Sequence, residues 1–370
     1  MKFTLYFSLV FFILQMSVAA MPQTTEHATQ PVTGLVMSGQ SGLGFQFNCP
    51  VPDFHTIKTN HGTYTGLTAA GLLPAGIPGE PELPSFFRFF EIPEGATVRI
   101  ETEVIEELTY PIPPTLEDYP LFPHQPPAVK QPDSVRQILF TAEAYSVGSY
   151  RHSALAEVED LGIMRSMRLG LLKVSPYAYL PASHSIRAAH KISVKIVFDF
   201  PAEASPAPSL SRHASPYFSI PASMLLGGKM APPVDSLAGN PPVKYVIVAH
   251  AMFRDSLQDF IAWKTRKGFN VIEAYTDDPQ VGSSTTSIRN YLTGLYQNAT
   301  VQDPAPTYLL IVGDVGQIPA FSGTTGSHVT DLYYAEYTGD NLPELYYGRF
   351  SANNVSQLMP QIEKTLRYEQ

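Results

Sequence analysis

Two hydrophobic periods divide the chain. From residue 21 to about 240, apolar positions alternate with polar ones in short runs, so that Val98, Ile100, Thr102 and Val104 share one face of an extended strand. Ile192, Val194, Ile196, Phe198 and Phe200 do the same. Clusters such as Gly79-Glu-Pro-Glu-Leu-Pro84 and Tyr110-Pro-Ile-Pro-Pro114 separate the runs. Short strands without helical periods predict a β-rich sandwich. Residues 202–223, rich in Ser, Pro and Ala, have the composition of an exposed, cleavable linker.

After about Pro242 the period changes. Lys244 to Ala249 reads as a continuous apolar strand, and Phe253, Leu257, Phe260, Ile261 and Lys264 then recur at helical spacing up to the stop signal Gly268. Asn270 to Tyr275 is a second strand. Ile288, Tyr291, Leu292, Leu295 and Tyr296 form the stripe of a second helix, preceded by Ser/Thr residues suited to its cap. Thr307 to Val312 is a third strand, Glu344 to Phe350 a fourth, and Val355, Leu358, Ile362 and Leu366 mark a last helix. Alternating strands and helices predict a parallel sheet with helices on both faces. No cap, glycine or breaker precedes Gln370, so the last helix reads as cut within a domain that is incomplete at its C-terminus.

Composition narrows the function classes. A formal net charge of -9 with 15% charged residues leaves no basic stripe for phosphates, which argues against a nucleic-acid partner. Lys2, the apolar Phe3 to Met16 and the small residues Ser17-Val-Ala-Ala20 read as a secretory signal peptide over residues 1–20. Its apolar run is shorter than the roughly 20 residues that cross a bilayer, and no second such run follows. The mature protein is expected to be secreted or displayed at the cell surface, with no membrane span after signal removal. The single cysteine, Cys49, allows no intramolecular disulfide.

Candidate chemistry is sparse. The loop after the first parallel strand, His250-Ala-Met-Phe253, has no glycine for a dinucleotide pyrophosphate. The sequence has no helical His-Glu-x-x-His, no Gly-x-Ser-x-Gly elbow and no cysteine pair. Cys49 stands between Asn48 and Pro50, without a helix N-terminus to stabilise a thiolate, and is read as a packed thiol. His250 and His328 have no obvious partner. The acidic residues are more informative: Asp314 stands where the third strand ends, and Asp340 and Glu344 share one loop. Calcium takes six to eight oxygens from such mixed sources. If the loops converge, carboxylates about 4 Å apart repel by roughly 4 kcal/mol at an effective dielectric near 20 and require a cation or a proton. The competing reading is that Asp314 and Asp340 cap turns in water.

Residues 244–370 resemble the beginning of the gingipain-type cysteine peptidase domain of peptidase family C25. The resemblance rests on "KYVIVAH", on Phe260-Ile-Ala-Trp-Lys264 followed by Lys267-Gly-Phe-Asn-Val271, on "TYLLIVGDVGQIPA", on "VTDLYYAEYTGDNLPELYYGRFSA" and on "QIEKTLRYEQ". Upstream, Gly79-Glu-Pro-Glu-Leu-Pro84 and Glu91-Ile-Pro93 are similar to the family's β-rich propeptide. The resemblance implies a caspase-like α/β fold and divides the chain into a signal peptide (1–20), a propeptide-like domain (21–204), a linker carrying the maturation cleavage (205–241) and the N-terminal part of a peptidase domain (242–370). It also implies a structural calcium ion held by Asp314, Asp340 and Glu344 with the carbonyls of Tyr337 and Leu342.

The family's Cys nucleophile and His base come later in the domain, and this sequence has no cysteine after Cys49. The expectation is therefore a secreted endopeptidase precursor that acts on protein or peptide substrates, is inhibited by its own propeptide, and has its Cys-His dyad beyond this chain, which alone is inactive. The alternatives are a sortase-like peptidase of an outer-membrane secretion system and a non-catalytic, calcium-stabilised surface module.

Overall fold

The computed structural model describes residues 31–37, 41–127, 137–200, 210–215, 217–218, 220, 222–228, 243–300, 302–324 and 328–370. The expected signal peptide lies outside the described residues, as does much of the expected linker. Among the described residues no helix is long and apolar enough to cross a membrane. The described residues fall into two compact units, the first within 31–228 and the second within 243–370.

The first unit is built from β1 (Val32–Met37), β2 (Gly42–Asn48), β3 (Asp53–Thr59), β4 (Gly62–Thr68), β5 (Phe86–Ile92), β6 (Thr97–Pro111), β7 (Ala156–Met164), β8 (Met167–Val174), β9 (Tyr177–Leu180), β10 (Ser185–Asp199) and β11 (Leu225–Leu226). One sheet has the order β1-β2-β10-β6, with β9 also on β10; a second has the order β11-β5-β8-β7; β3 and β4 form a hairpin. Both sheets contribute to one core that includes Phe47, Phe90, Leu172, Ile192 and Phe198. The Phe90 and Phe198 rings stack across it with centroids 6.3 Å apart. Gly170 pairs with Phe90 in register, and its missing side chain leaves the space that the ring fills.

The β-rich expectation holds, with two local differences. Ile192, Val194, Ile196 and Phe198 are buried, each contributing roughly 1.5–3 kcal/mol, but Phe200 lies past the end of β10 and is 48% exposed. On β6, Val98 and Ile100 pack against the core, whereas Val104 is 41% exposed although it pairs with buried Ile192. Val104 stands opposite the register shift between Lys191 and Ile192 of β10, where the regular pairing that serves Val98 and Ile100 is interrupted.

Linker composition also misleads between residues 210 and 226. Leu210–His213 forms a 3-10 turn, Phe218 is buried, and β11 runs parallel to β5 with Leu225 opposite Phe89. This stretch is an integral part of the first unit.

The second unit contains β12 (Lys244–Ala249), α1 (Gln258–Arg266), β13 (Asn270–Tyr275), α2 (Thr285–Gln297), β14 (Tyr308–Val312), β15 (Phe321–Ser322), β16 (Val329–Thr330), β17 (Tyr346–Phe350) and α3 (Val355–Glu369). Its main sheet has the order β13-β12-β14-β17, with every pairing parallel. Successive side chains on a strand face opposite ways, so Val246, Val248, Leu309 and Ile311 pack with Ile288, Leu292 and Tyr296 of α2. Ile247, Ala249, Leu310 and Val312 pack on the other face with Phe260 of α1 and Leu358 and Ile362 of α3. The expected parallel sheet with helices on both faces is present.

Local chemistry fixes the helix ends. Ser284 and Ser287 form a reciprocal capping box at the start of α2. Gly268 stops α1 in the left-handed region at φ 92°, with its N–H donating to the Thr265 carbonyl. The last residue of α3, Glu369, accepts from buried Lys264 at 2.6 Å and from the Trp263 indole at 3.0 Å, tying α3 to α1.

Candidate functional site: the acidic loops around β14 and β17

Asp314 follows β14 at the carboxyl end of the sheet. Its Oδ1 accepts from the Val315 N–H at 2.9 Å and from the Ser351 hydroxyl at 3.0 Å, and its Oδ2 accepts from the Asn353 amide at 3.3 Å. The Val315 N–H, Ser351 and Asn353 bonds hold its carboxyl below the usual aspartate range. The Asp314 carbonyl accepts from the N–H groups of Gln317 and Ile318. The residue therefore closes a turn and ties the end of β14 to the segment leaving β17.

Arg349 reinforces the same end of the sheet. Its guanidinium grips both oxygens of Asp331, at 2.8 and 2.6 Å, and donates to the carbonyls of Gly313 at 2.7 Å and Ile318 at 3.0 Å. Asp331 and Arg349 were not singled out from the sequence. Eighteen positions apart, they carry no periodic signal that would join them.

The second loop, between Glu336 and Glu344, is a compact acidic turn. Glu344 is fully buried. Its Oε2 accepts from the Tyr337 N–H at 2.7 Å, and its Oε1 lies 2.9 Å from the Thr338 hydroxyl. The same hydroxyl lies 2.9 Å from Asp340 Oδ2, while Asp340 Oδ1 accepts from the Leu342 N–H at 2.8 Å. A hydroxyl has one hydrogen, so it cannot donate to two ionised carboxylates at once. One of the two contacts needs a proton on a carboxyl, or a cation in its place. Burial pushes Glu344 up to about 8, against the bonds from Thr338 and Tyr337 and with Asp340 and Glu336 adding to the rise. The carboxylates meet the N–H groups of Tyr337 and Leu342, the residues whose carbonyls were expected as calcium ligands.

Glu336, also missed from the sequence, completes the turn. It is 3% exposed, accepts from the N–H groups of Gly339 and Asp340, and pairs with Arg289 of α2 at 3.3 Å. The Arg289 guanidinium also donates to the carbonyls of Tyr333 and Glu336. The only sequence signal was the spacing Glu336-x-x-Gly339-Asp340 at a turn.

The expected convergence of Asp314 with Asp340 and Glu344 is not found. Tyr308 pairs with Tyr346 and Val312 with Phe350, in parallel. Glu344 thus precedes the first paired residue and Asp314 follows the last, at opposite ends of a strand pair whose five residues span roughly 16 Å at about 3.3 Å each. A calcium ion bonds at roughly 2.3–2.6 Å and cannot bridge that length. Among the described residues no three His, Cys, Asp or Glu side chains form a group able to hold a metal ion.

The remaining candidates are structural. Cys49 is 3% exposed in the core of the first unit, and burial pushes its thiol up to about 12, so it is not a thiolate near neutral pH. The His250 ring accepts from the Met252 N–H at 3.3 Å and caps a 3-10 turn. His328 is exposed beside β16, its carbonyl accepting from Gly323 N–H.

A β-rich unit is followed by a parallel α/β unit, and each is matched by a family profile. The profile of the C25 propeptide matches residues 23–210, and that of peptidase family C25 matches residues 238–370. This chain belongs to peptidase family C25, with the family's propeptide preceding the peptidase region. It is 30% identical to Lys-gingipain of Porphyromonas gingivalis over 334 residues, covering 89% of this chain and 19% of that protein. Gingipain R2 of the same species is 21% identical over 374 residues, covering 100% of this chain and 49% of that protein. The chain therefore spans about a fifth of the length of the Lys-gingipain it matches. A structure solved for the zymogenic latency of gingipain K aligns at 24% identity with a TM-score of 0.43, covering 48% of this chain and 98% of that one. Another protease structure aligns at 38% identity and a TM-score of 0.34, covering 35% of this chain and 29% of that one.

Proposed function

We propose that this chain is the propeptide and first part of the catalytic domain of an exported cysteine endopeptidase, and that the reactive Cys and His belong to sequence continuous with residues 238–370. The observation that carries this reading is Cys49: it is the sole cysteine, it falls within the propeptide match, and burial holds its thiol protonated. In the completed domain a thiolate attacks the peptide carbonyl and an imidazolium protonates the leaving amine. The parallel sheet of the second unit serves that chemistry as a caspase-like scaffold, and the β unit acts as its intramolecular inhibitor until the two are separated by proteolysis. Residues 1–20 direct export to the surface or medium. The relatives named for Lys and R preference motivate basic peptides as the first substrates to try.

Calcium belongs to the same reading in reduced form. Asp340 and Glu344, with oxygens of the 336–344 loop, form the donor set, and Asp314 serves the turn at the other end of the strands. A bound cation there would supply the positive charge that the shared Thr338 hydroxyl cannot, and would keep Glu344 ionised at neutral pH. Full-length protein should melt at a higher temperature with millimolar calcium than with chelator, since a ligand of the native state raises stability. An unchanged melting temperature would remove the ion and leave a proton on Glu344.

The peptidase reading is tested on the protein expressed from the continuous reading frame, matured, and assayed on Lys- and Arg-containing peptides before and after cysteine alkylation. Activity abolished by alkylation is expected. Absence of cleavage, or cleavage that survives alkylation, would sink it; turnover confined to carboxyl-terminal sorting domains would move the protein to the sortase class.

A further inference from the structure

The first unit holds a half-buried histidine, its Nδ1 enclosed, that the proposed peptidase chemistry does not use. The His152 Nε2 lies 3.3 Å from the Ser85 hydroxyl and 3.4 Å from that of Ser175. Ser175 in turn contacts Ser85 at 2.9 Å and Ser153 at 2.7 Å. These hydroxyls join three parts of the unit: the residue before β5, the corner between β8 and β9, and the segment leading into β7. A Ser-His pair invites comparison with a nucleophile and its base. However, Ser85 is fully buried, so no substrate reaches it, and His152 Nδ1 is buried without a partner to orient the ring.

The surroundings reject a positive ring. Arg151 donates to the Ser175 carbonyl, Lys173 stands on β8, and His124 is paired with Glu82; interactions with all three disfavour a charge on His152. The nearby carboxylates are committed elsewhere: Glu82 to His124 at 2.7 Å, Glu157 to Lys173 at 3.7 Å, and Glu80 to the Tyr150 hydroxyl. Protonation would put a hydrogen on both ring nitrogens, and Nδ1 faces no acceptor.

We propose that His152 is an acid-sensitive latch of the propeptide unit: in mildly acidic medium its protonation parts the Ser85, Ser175 and Ser153 junction and opens the unit. Burial first, and then the charges of neighbouring side chains, Lys173 foremost, push the ring down to about 3 in the folded state, against about 6.5 when unfolded. The unfolded chain therefore binds the proton first. The stability that the neutral ring contributes is complete above about pH 6.5 and is lost progressively as pH falls toward 3. If the unit inhibits a peptidase, as proposed above, acid would release the inhibitor; the acid lability itself does not depend on that reading.

The test uses the full 370-residue chain, because its single tryptophan, Trp263, lies in the second unit and reports that unit alone. Hydrogen exchange read by mass spectrometry across residues 83–92, 150–158 and 168–180 from pH 7.5 to 4, corrected for intrinsic rates, reports the first unit. Those peptides should lose protection while Trp263 fluorescence is unchanged, and His152→Gln should move the opening midpoint at least about one pH unit lower. An unmoved midpoint in His152→Gln overturns the latch. Should that variant fail to fold at pH 7.5, the ring is followed in the unmodified chain by NMR. A His152 signal that stays neutral until the unit opens supports the proposal, and one that titrates near pH 6.5 in the folded unit overturns it.

Discussion

Arg165 Nε donates to the His213 carbonyl at 2.5 Å, and the guanidinium lies 5.6 Å from the centre of the Phe218 ring. Arg165 is 1% exposed and sits in the turn between β7 and β8 at φ 60°, a left-handed conformation unfavourable for a side chain larger than glycine. With β11 paired to β5, this bond straps residues 210–226 onto the first unit. Limited proteolysis of the full chain should therefore make its first cuts outside 210–226. Arg165→Ala, which removes a charged hydrogen bond of about 1.5–3 kcal/mol, should bring early cuts into 210–218. Native chain cut first within that stretch would refute the strap.

Arg349 makes both bonds to Asp331 and two more to the carbonyls of Gly313, just past β14, and Ile318. Arg349→Ala leaves a partly buried carboxylate and two carbonyls unpaired, and is expected to cost about 3 kcal/mol of second-unit stability in denaturant melts read by Trp263 fluorescence. Arg349→Lys should recover less than half of that, because an ammonium cannot reproduce the two-pronged fork. Equal stability of the lysine variant and the native chain would show that only the charge matters.

Cys49 should resist iodoacetamide at pH 8 in the folded chain. With the thiol at about 12, roughly one molecule in ten thousand carries the thiolate, and the sulfur is buried besides. Unfolding in denaturant should raise the rate of labelling by several orders of magnitude. Rapid native labelling would reopen Cys49 as a reactive group.

The Thr338 hydroxyl between Asp340 and Glu344 offers a test of the acidic loop. Thr338→Val should destabilise the second unit by about 1–3 kcal/mol, the range for a lost partner at a buried polar group. Glu344→Gln mimics the protonated carboxyl, keeping an acceptor for Tyr337 N–H and a donor for Thr338. It should cost less than Thr338→Val in chelator and abolish any calcium-dependent rise in melting temperature. A calcium response that persists in Glu344→Gln would place the ion elsewhere.

The succession of strands and helices from Lys244 onward was legible in the sequence, since apolar runs and 3.6-residue stripes report burial directly and Ser284 and Gly268 mark helix ends. Ile192 to Phe198 was legible for the same reason. Val104 was not, because alternation identifies a face but does not reveal the register shift in β10 opposite it. Nor was the 210–226 strap legible: its composition is that of a linker, and its partners Arg165 and Phe89 lie far away in the chain. Of the five residues expected to bind calcium, four share one turn, and local sequence was enough to group them.

The sequence by itself determined the family, the order of elements and the absence of a second cysteine, because each is carried by residue identity and local period. The tertiary structure decided which charges meet. Parallel register sends Asp314 to one end of the β14 and β17 pair and Glu344 to the other, and draws Glu336, Thr338, Asp340 and Glu344 into one turn. Burial decided the rest: it keeps the Cys49 thiol protonated and leaves His152 no room for a charge. Desolvation depends on everything packed around a group, and that is fixed only when distant segments close over it.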